Sequence, residues 1–261
     1  MITGIHVVSD KVRTEPRKSW EILLQIASLK LYQNNFGPIH LYCCEEAHDF
    51  YESIGVLQMY DEVHKLDESL IEGVDQKKYF ATSKLLAQLQ CDLEECIFID
   101  TDLLITNAYA ESFLAEEVCG FFHEETTDVY SHNSKLAINC AFNLWKNKEI
   151  RRSYASEALR MLWDDRYSMI DVEQASLGLF LLDRGISYGL YIENIWDTRR
   201  NQFIRKEEDN LENIMDSLNH LWGEKRNIRE EPLRAADLTI ELIRLLEEFE
   251  GINVNSILEK I

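Results

Sequence analysis

Cys96-Ile97-Phe98-Ile99-Asp100-Thr101-Asp102-Leu103-Leu104-Ile105 is an apolar run that delivers two carboxylates one residue apart. In an extended backbone alternate side chains share a side, so Asp100 and Asp102 face one way and Thr101 the other. Carboxylates so placed can hold one hard divalent cation against the oxygens of a diphosphate. The plainer reading is a buried strand whose two acids cap the next turn. Position argues for the first, because the acids follow four apolar residues at the outgoing end of the strand, where open α/β sheets bind ligands.

Upstream, Ile2 to Val8 reads as a strand broken by Gly4 and His6, opening at Ser9-Asp10 into a polar loop from Lys11 to Lys18. Asp10 either touches a ligand or caps a turn. Trp20 to Tyr32 has helical apolar spacing, Gly37-Pro38 breaks the chain, and Ile39 to Cys44 reads as a buried strand. A short helix over Ala47 to Ser53 stops at Gly55, and Glu62 to Leu66 is a third strand. This alternation predicts a parallel sheet wrapped by helices. The helix from Lys77 to Gln90 carries Lys77, Lys78 and Lys84. The first two read as surface lysines, whereas Lys84 lies among Phe80, Ala81, Leu85 and Leu86 and is the one expected to turn toward a phosphate.

Downstream, Ala108 to Phe113 reads as a short helix, Val118 to His123 as a strand and the segment through Ser134 as a polar loop. Ile138 to Asn143 sets polar and small residues in an apolar run, so either a ligand approaches there or Asn139 satisfies a neighbouring backbone. Glu149 to Trp163 is an amphipathic helix. Asp171 fits a helix N-cap, which puts Glu173 and Gln174 in a first turn where the helix dipole and exposed amides meet ligands. Ser187 to Ile192 reads as the last strand, Asn219 to Arg226 clusters a histidine, a glycine and two cations, and Ala235 to Ile261 reads as a closing helix.

The chain's 261 residues and 46% hydrophobic content suit one globular domain. Its net charge of −20 opposes nucleic-acid backbones and anionic lipid surfaces. A phosphorylated ligand would therefore need a local cation, such as a metal with a few placed lysines or arginines. Neither a secretory leader nor a membrane span is read from the sequence, and the expected location is the cytoplasm. Six cysteines without a zinc-type Cys-x-x-Cys pair read as buried thiols.

Together these pieces resemble a GT-A-type glycosyltransferase, close to the retaining glycogenin-like and lipopolysaccharide galactosyltransferase group, over about Met1 to Arg226. The resemblance implies an α/β fold, Rossmann-like with a mixed sheet and flanking helices. It implies a single domain with a nucleotide-binding half at 1–106, an acceptor-side half at 107–228 and a C-terminal helical segment at 229–261. Asp100, Asp102 and His220 would be the metal ligands, with Mn2+ as the ion and Mg2+ as the alternative. His220-Leu-Trp-Gly223-Glu-Lys225-Arg226 matches the family's His-x-x-Gly-x-x-Lys signature, except that Arg226 replaces the lysine and Lys225 falls one place early. Asp10, Lys84, Asn139, Gly223, Lys225 and Arg226 would contact the nucleotide sugar. Glu173 or Gln174 would lie under the sugar ring as the catalytic group. The implied reaction moves a hexose from a nucleoside-diphosphate sugar, UDP-linked in the expected case, to a hydroxyl acceptor.

Rival readings differ at specific residues. A haloacid dehalogenase-type phosphatase also ends a strand in Asp-x-Asp, but it wants Thr or Val where Leu104 stands and sets its motif near the start of the fold. A nucleotidyltransferase would carry a Gly-rich loop after the first strand, and Ser9 to Arg17 has no glycine. A non-catalytic nucleotide-sugar-binding or interaction protein keeps the scaffold without the chemistry.

Overall fold

The computed structural model describes residues 1–9, 19–74, 79–101, 119–122, 139–164, 171–191 and 232–261. The first half alternates strand and helix: β1 (Thr3–Val8), α1 (Ser19–Asn35), β2 (Ile39–Cys43), α2 (Glu45–Ile54), β3 (Glu62–Lys65), α3 (Tyr79–Gln90) and β4 (Cys96–Ile99). The second half supplies β5 (Cys119–Phe122), β6 (Asn139–Trp145), α4 (Lys148–Met161), a π-helical turn (Asp171–Ala175), α5 (Ser176–Asp183), β7 (Gly189–Tyr191), α6 (Pro232–Phe249) and α7 (Asn255–Leu258). The helix expected over Ala108 to Phe113 and the loop from His123 to Ser134 lie outside the described residues.

The seven strands among the described residues join one sheet in the order β3-β2-β1-β4-β6-β5-β7. The alternation of strand and helix dictates the first half, where β1 pairs in parallel with both β2 and β4, and β2 with β3. In the second half β6 runs antiparallel to both β4 and β5, in line with the mixed sheet that the resemblance implies. The sheet is therefore mixed, in an α/β fold. Strand order reverses beside β1, since the chain builds outward through β2 and β3 and then returns to add β4 on the other side. Such a reversal leaves a crevice outside the carboxyl ends of the two inner strands.

Apolar side chains cover both faces. Ile39, Leu41, Ile97, Ile99, Phe142 and Leu144 pack against α1, α2 and α6. Ile5, Phe98 and Trp145 pack on the opposite face against α3, α4 and α5. Gly4, an interruption in the sequence of β1, is required by packing: a Cβ there would come within 2.7 Å of the Tyr32 ring. Tyr32 in turn donates from its hydroxyl to the Ile2 carbonyl at 2.7 Å. The closing helix is two helices rather than one, because Gly251 takes a φ of 64° and ends α6 in the left-handed conformation that glycine accepts without strain.

Arg151 fixes the layer that carries α3. Fully buried in α4, it donates to the carbonyls of Gln88 and Cys91 at 3.1 and 2.7 Å and to Cys96 Sγ at 3.0 Å. One guanidinium thus ties the C-terminal end of α3 to the start of β4, and satisfies helix-end carbonyls that have no partner within the helix. Cys43, Cys44, Cys91, Cys96 and Cys140 are all buried, as the sequence reading expects of them.

A second polar network links β1 to the helices on the other face. His6 is fully buried, with Nδ1 2.9 Å from Tyr60 Oη and Nε2 3.3 Å from Ser28 Oγ. Gln25 donates to Tyr60 Oη at 2.6 Å and accepts from Tyr51 Oη at 2.5 Å. Burial lowers the His6 pKa from 6.5 to about 3. The unfolded chain therefore takes up a proton near pH 6.5 that the folded chain refuses until about pH 3. Stability from this group is complete above that range and falls with acidification, by up to about 1.4 kcal/mol per pH unit. Urea titrations from about pH 7 to about pH 5 are expected to show a shallower decline for His6→Gln than for wild type. Parallel declines would contradict this assignment.

Candidate functional site

Asp100 is the first residue beyond β4, at the carboxyl end where the strand order reverses. Cys96 and Phe98 point toward the α3 layer, and strand parity sends Asp100 the same way. The helix there is buried on nearly every side: Thr82 to Gln88 are each at most 9% exposed. Lys84 has consequently little water to turn to. Its Nζ donates to Asp100 Oδ1 at 2.5 Å and to the Cys140 carbonyl at 2.8 Å, and lies 3.1 Å from Glu173 Oε1.

Two of these partners, the Cys140 carbonyl and Glu173, are delivered by local irregularities. In β6 the pairing with β5 jumps from Asn143 to Asn139 across a single step of β5. That bulge turns Cys140 to the same face as Trp145, while Phe142 and Leu144 face the other way. The Cys140 carbonyl then accepts from both Lys84 Nζ and Asn143 Nδ2, the latter at 2.7 Å. Glu173 comes from the π-helical turn, a form common at functional sites because its extra residue re-aims side chains. The turn is held from below, as Tyr154 Oη donates to the Glu173 carbonyl at 2.7 Å and Ser176 Oγ donates to the Val172 carbonyl at 2.5 Å.

Charge balance explains the protonation states. Burial works against the Lys84 ammonium, but Asp100 and Glu173 outweigh it and hold its pKa well above the ordinary lysine value. Burial pushes the Glu173 carboxyl up; Lys84 opposes that shift and Asp100 adds to it. Asp100 remains 34% exposed at its side chain, against 13% for Glu173 and 11% for Lys84.

Three buried oxygens here have no hydrogen bond. Glu173 Oε1 is one, its contact with Lys84 being an ion pair without hydrogen-bond geometry. Asn143 Oδ1 and Ser9 Oγ are the others, Ser9 lying just past β1 on the other side of the strand reversal. Buried polar atoms in folded proteins are nearly always satisfied, so orphaned oxygens beside a ligand crevice mark places for a ligand or water to bond.

Of the residues singled out in the sequence, the fold brings together Asp100, Lys84 and Glu173. Gln174 follows in the same π-helical turn and is half-buried, and Asp171 sits inside that turn rather than before it. Asn139 opens β6, and only its backbone is described. Asp10, Asp102, His220, Gly223, Lys225 and Arg226 lie outside the described residues, as do Lys77 and Lys78. Lys84 meets two carboxylates and a carbonyl, rather than standing open to a phosphate. Asn143, the Cys140 carbonyl and Ser9 were not named as site residues from the sequence, although Asn143 carried a signal as a polar side chain in an apolar strand.

Asp100 is a hard oxygen donor of the kind Mn2+ and Mg2+ prefer. Its Oδ1 is engaged by Lys84, which leaves the other oxygen as the donor for such an ion.

The chain matches no family model and no curated protein. Among solved structures it is similar to the galactosyltransferase LgtC in complex with donor and acceptor sugar analogs, at 13% identity and a TM-score of 0.46, over 74% of this chain and 73% of that one. It is also similar to the glycosyltransferase GlyE of Streptococcus pneumoniae, at 12% identity and a TM-score of 0.46, over 74% of this chain and 45% of that one. A third is the 4-diphosphocytidyl-2C-methyl-D-erythritol synthase of Anaerococcus prevotii, at 14% identity and a TM-score of 0.45, over 73% of this chain and 88% of that one.

Removing the cation from the cluster leaves two carboxylates facing each other in a mostly dry setting. Lys84→Met is expected to cost about 3 kcal/mol of stability near neutral pH, the low end for a broken buried pair because Asp100 is partly solvated. The orphaned acids in the folded variant should have raised pKa values. Their destabilising effect is then absent when they are protonated and grows as pH rises through those values. Chemical denaturation at about pH 5 and about pH 8 checks this, with the larger loss expected at the higher pH. Equal losses at both would contradict it.

Proposed function

We propose that the chain is a metal-dependent glycosyltransferase of the GT-A type, moving a sugar from a nucleoside-diphosphate donor, UDP-linked in the first instance, to a hydroxyl acceptor. One observation carries the reading: Asp100, Lys84 and Glu173 meet at the carboxyl end of β4, beside the strand reversal, with a Glu173 oxygen that makes no hydrogen bond. That is where an open α/β sheet receives a nucleotide. The resemblance drawn from Asp100, Asp102, Glu173, Gln174 and the His220 cluster points to the same chemistry.

In this reading Asp100, Asp102 and His220 would hold the divalent ion, which would supply positive charge beside the diphosphate. Lys84 does not meet the phosphates. It pairs with both Asp100 and Glu173 and fixes them in place, so that the site needs no reorganisation when charge develops. Cleavage of the bond between the anomeric carbon and the diphosphate oxygen leaves the electron pair on that oxygen and positive charge on the sugar. Glu173 supplies the facing negative charge, and Gln174 a neighbouring amide oxygen. The acceptor oxygen forms the new bond to the anomeric carbon, and its proton leaves with the diphosphate. Asp10, Asn139, Gly223, Lys225 and Arg226 serve donor binding.

Calorimetry of UDP with and without Mn2+, followed by hydrolysis of UDP-sugars, tests the proposal. Wild type is expected to bind UDP only with the metal, and Asp102→Ala to abolish that binding with an unchanged circular dichroism spectrum. Glu173→Gln is expected to keep UDP affinity within a few-fold while lowering sugar release by about 100-fold. Phosphate release from simple esters would turn the reading to a phosphatase, and pyrophosphate release from nucleoside triphosphate and sugar phosphate to a nucleotidyltransferase. Silence in all these assays would leave a binding protein.

A further inference from the structure

A second cluster of ligand-type side chains lies at the other end of the sheet. Strand register sets His40 opposite Glu62 and Tyr42 opposite His64 on the parallel pair β2 and β3. Period-2 alternation then puts His40, Glu62 and His64 on one face. Glu62 Oε2 is 3.7 Å from His40 Nδ1 and 3.3 Å from His64 Nε2. The three ligand atoms all lie within 4.8 Å of one another. Donors each about 2.1 Å from a tetrahedral ion are separated by about 3.4 Å, so these spacings are already close to those of a shared ion.

We propose that His40, Glu62 and His64 form a binding site for a first-row divalent ion of the zinc class. The donor set decides the class. Two imidazoles and one carboxylate suit Zn2+ and its borderline neighbours, whereas Ca2+ and Mg2+ call for oxygen alone.

Two further features support a built site. His64 Nε2 is shielded from water and makes no hydrogen bond, although Glu62 approaches it. The Tyr42 ring stacks on that imidazole at 4.4 Å between centroids and 20° between planes, which holds it in orientation. His40 is 8% exposed, and burial keeps its pKa below the ordinary value against the opposing pull of Glu62. The titratable groups near it are the Glu62 carboxylate, the His64 imidazole and Asp61, which accepts from the Ile39 amide at 2.8 Å. Three protein ligands leave a fourth position for water, and the bound ion would pin the edge strand β3 to β2. His40 and Glu62 are at the amino ends of their strands, whereas Asp100 follows the carboxyl end of β4, so the ion here takes no part in the chemistry proposed for Asp100.

The test uses the full chain, Zn2+ alone and Co2+ alone. Titration calorimetry is expected to find a Zn2+ equivalent that Asp100→Asn retains. Co2+ at that site should give the visible absorption of a nitrogen- and oxygen-ligated ion. Loss of an outer-shell partner alone costs a metal site about 10–100-fold in affinity. His64→Ala and Glu62→Gln should each lose at least that and abolish the Co2+ spectrum. Glu62 is 59% exposed at its side chain, so its substitution leaves the fold intact even if His64→Ala does not. Unchanged Zn2+ affinity and stoichiometry in Glu62→Gln, or no Zn2+ uptake by wild type, would overturn the proposal.

Discussion

The site depends on one buried ammonium. Lys84 reaches from a helix that is almost wholly enclosed and sits between Asp100 at the end of β4 and Glu173 on a π-helical turn. Without it, two acids from segments 73 residues apart in sequence would repel each other in a low-dielectric setting. With it, the three side chains are held in a fixed geometry. The cost of burying these charges is one that a fold built for stability alone avoids, since well-packed apolar groups of the same volume serve packing equally well.

Much of the surrounding structure serves to keep that ammonium where it is. Arg151 clamps the end of α3 to β4, which ties the helix bearing Lys84 to the strand that leads into Asp100. The β6 bulge brings the Cys140 carbonyl to Nζ, and Tyr154 with Ser176 secures the turn that presents Glu173. Beyond β1 the buried network of His6, Tyr60, Gln25 and Tyr51 ties the other face of the sheet to its helices. The carboxyl ends of β1 and β4 thus lie between polar networks on the two faces of the sheet, each set against its own apolar cluster.

The fold was legible because its signals are local. Apolar runs such as Ile39 to Cys43 and Cys96 to Ile99, separated by helical spacing, give the first four strands and the helices between them. The antiparallel course of β6 was not legible, since strand direction is a tertiary property that no residue pattern in Asn139 to Trp145 encodes. At the site, Asp100 and Glu173 were readable as acids at element ends, and Lys84 as a cation among apolar neighbours. What sequence order could not disclose is that Lys84 pairs with both. Sequence does not favour Asn143 over Asn139, because a bulge changes which β6 residues share a face, and Gly251 does not by itself mark a break in the closing helix, because one glycine is a weak breaker until its backbone conformation is known.

A crystal of the chain grown with UDP and Mn2+ tests the central claim most directly. The account predicts the ion against Asp100 and the diphosphate, with the nucleotide lying across the carboxyl ends of β1 and β4 and the Lys84 contacts to Asp100 and Glu173 preserved. Nucleotide bound elsewhere, or bound there with the ion away from Asp100, would contradict it.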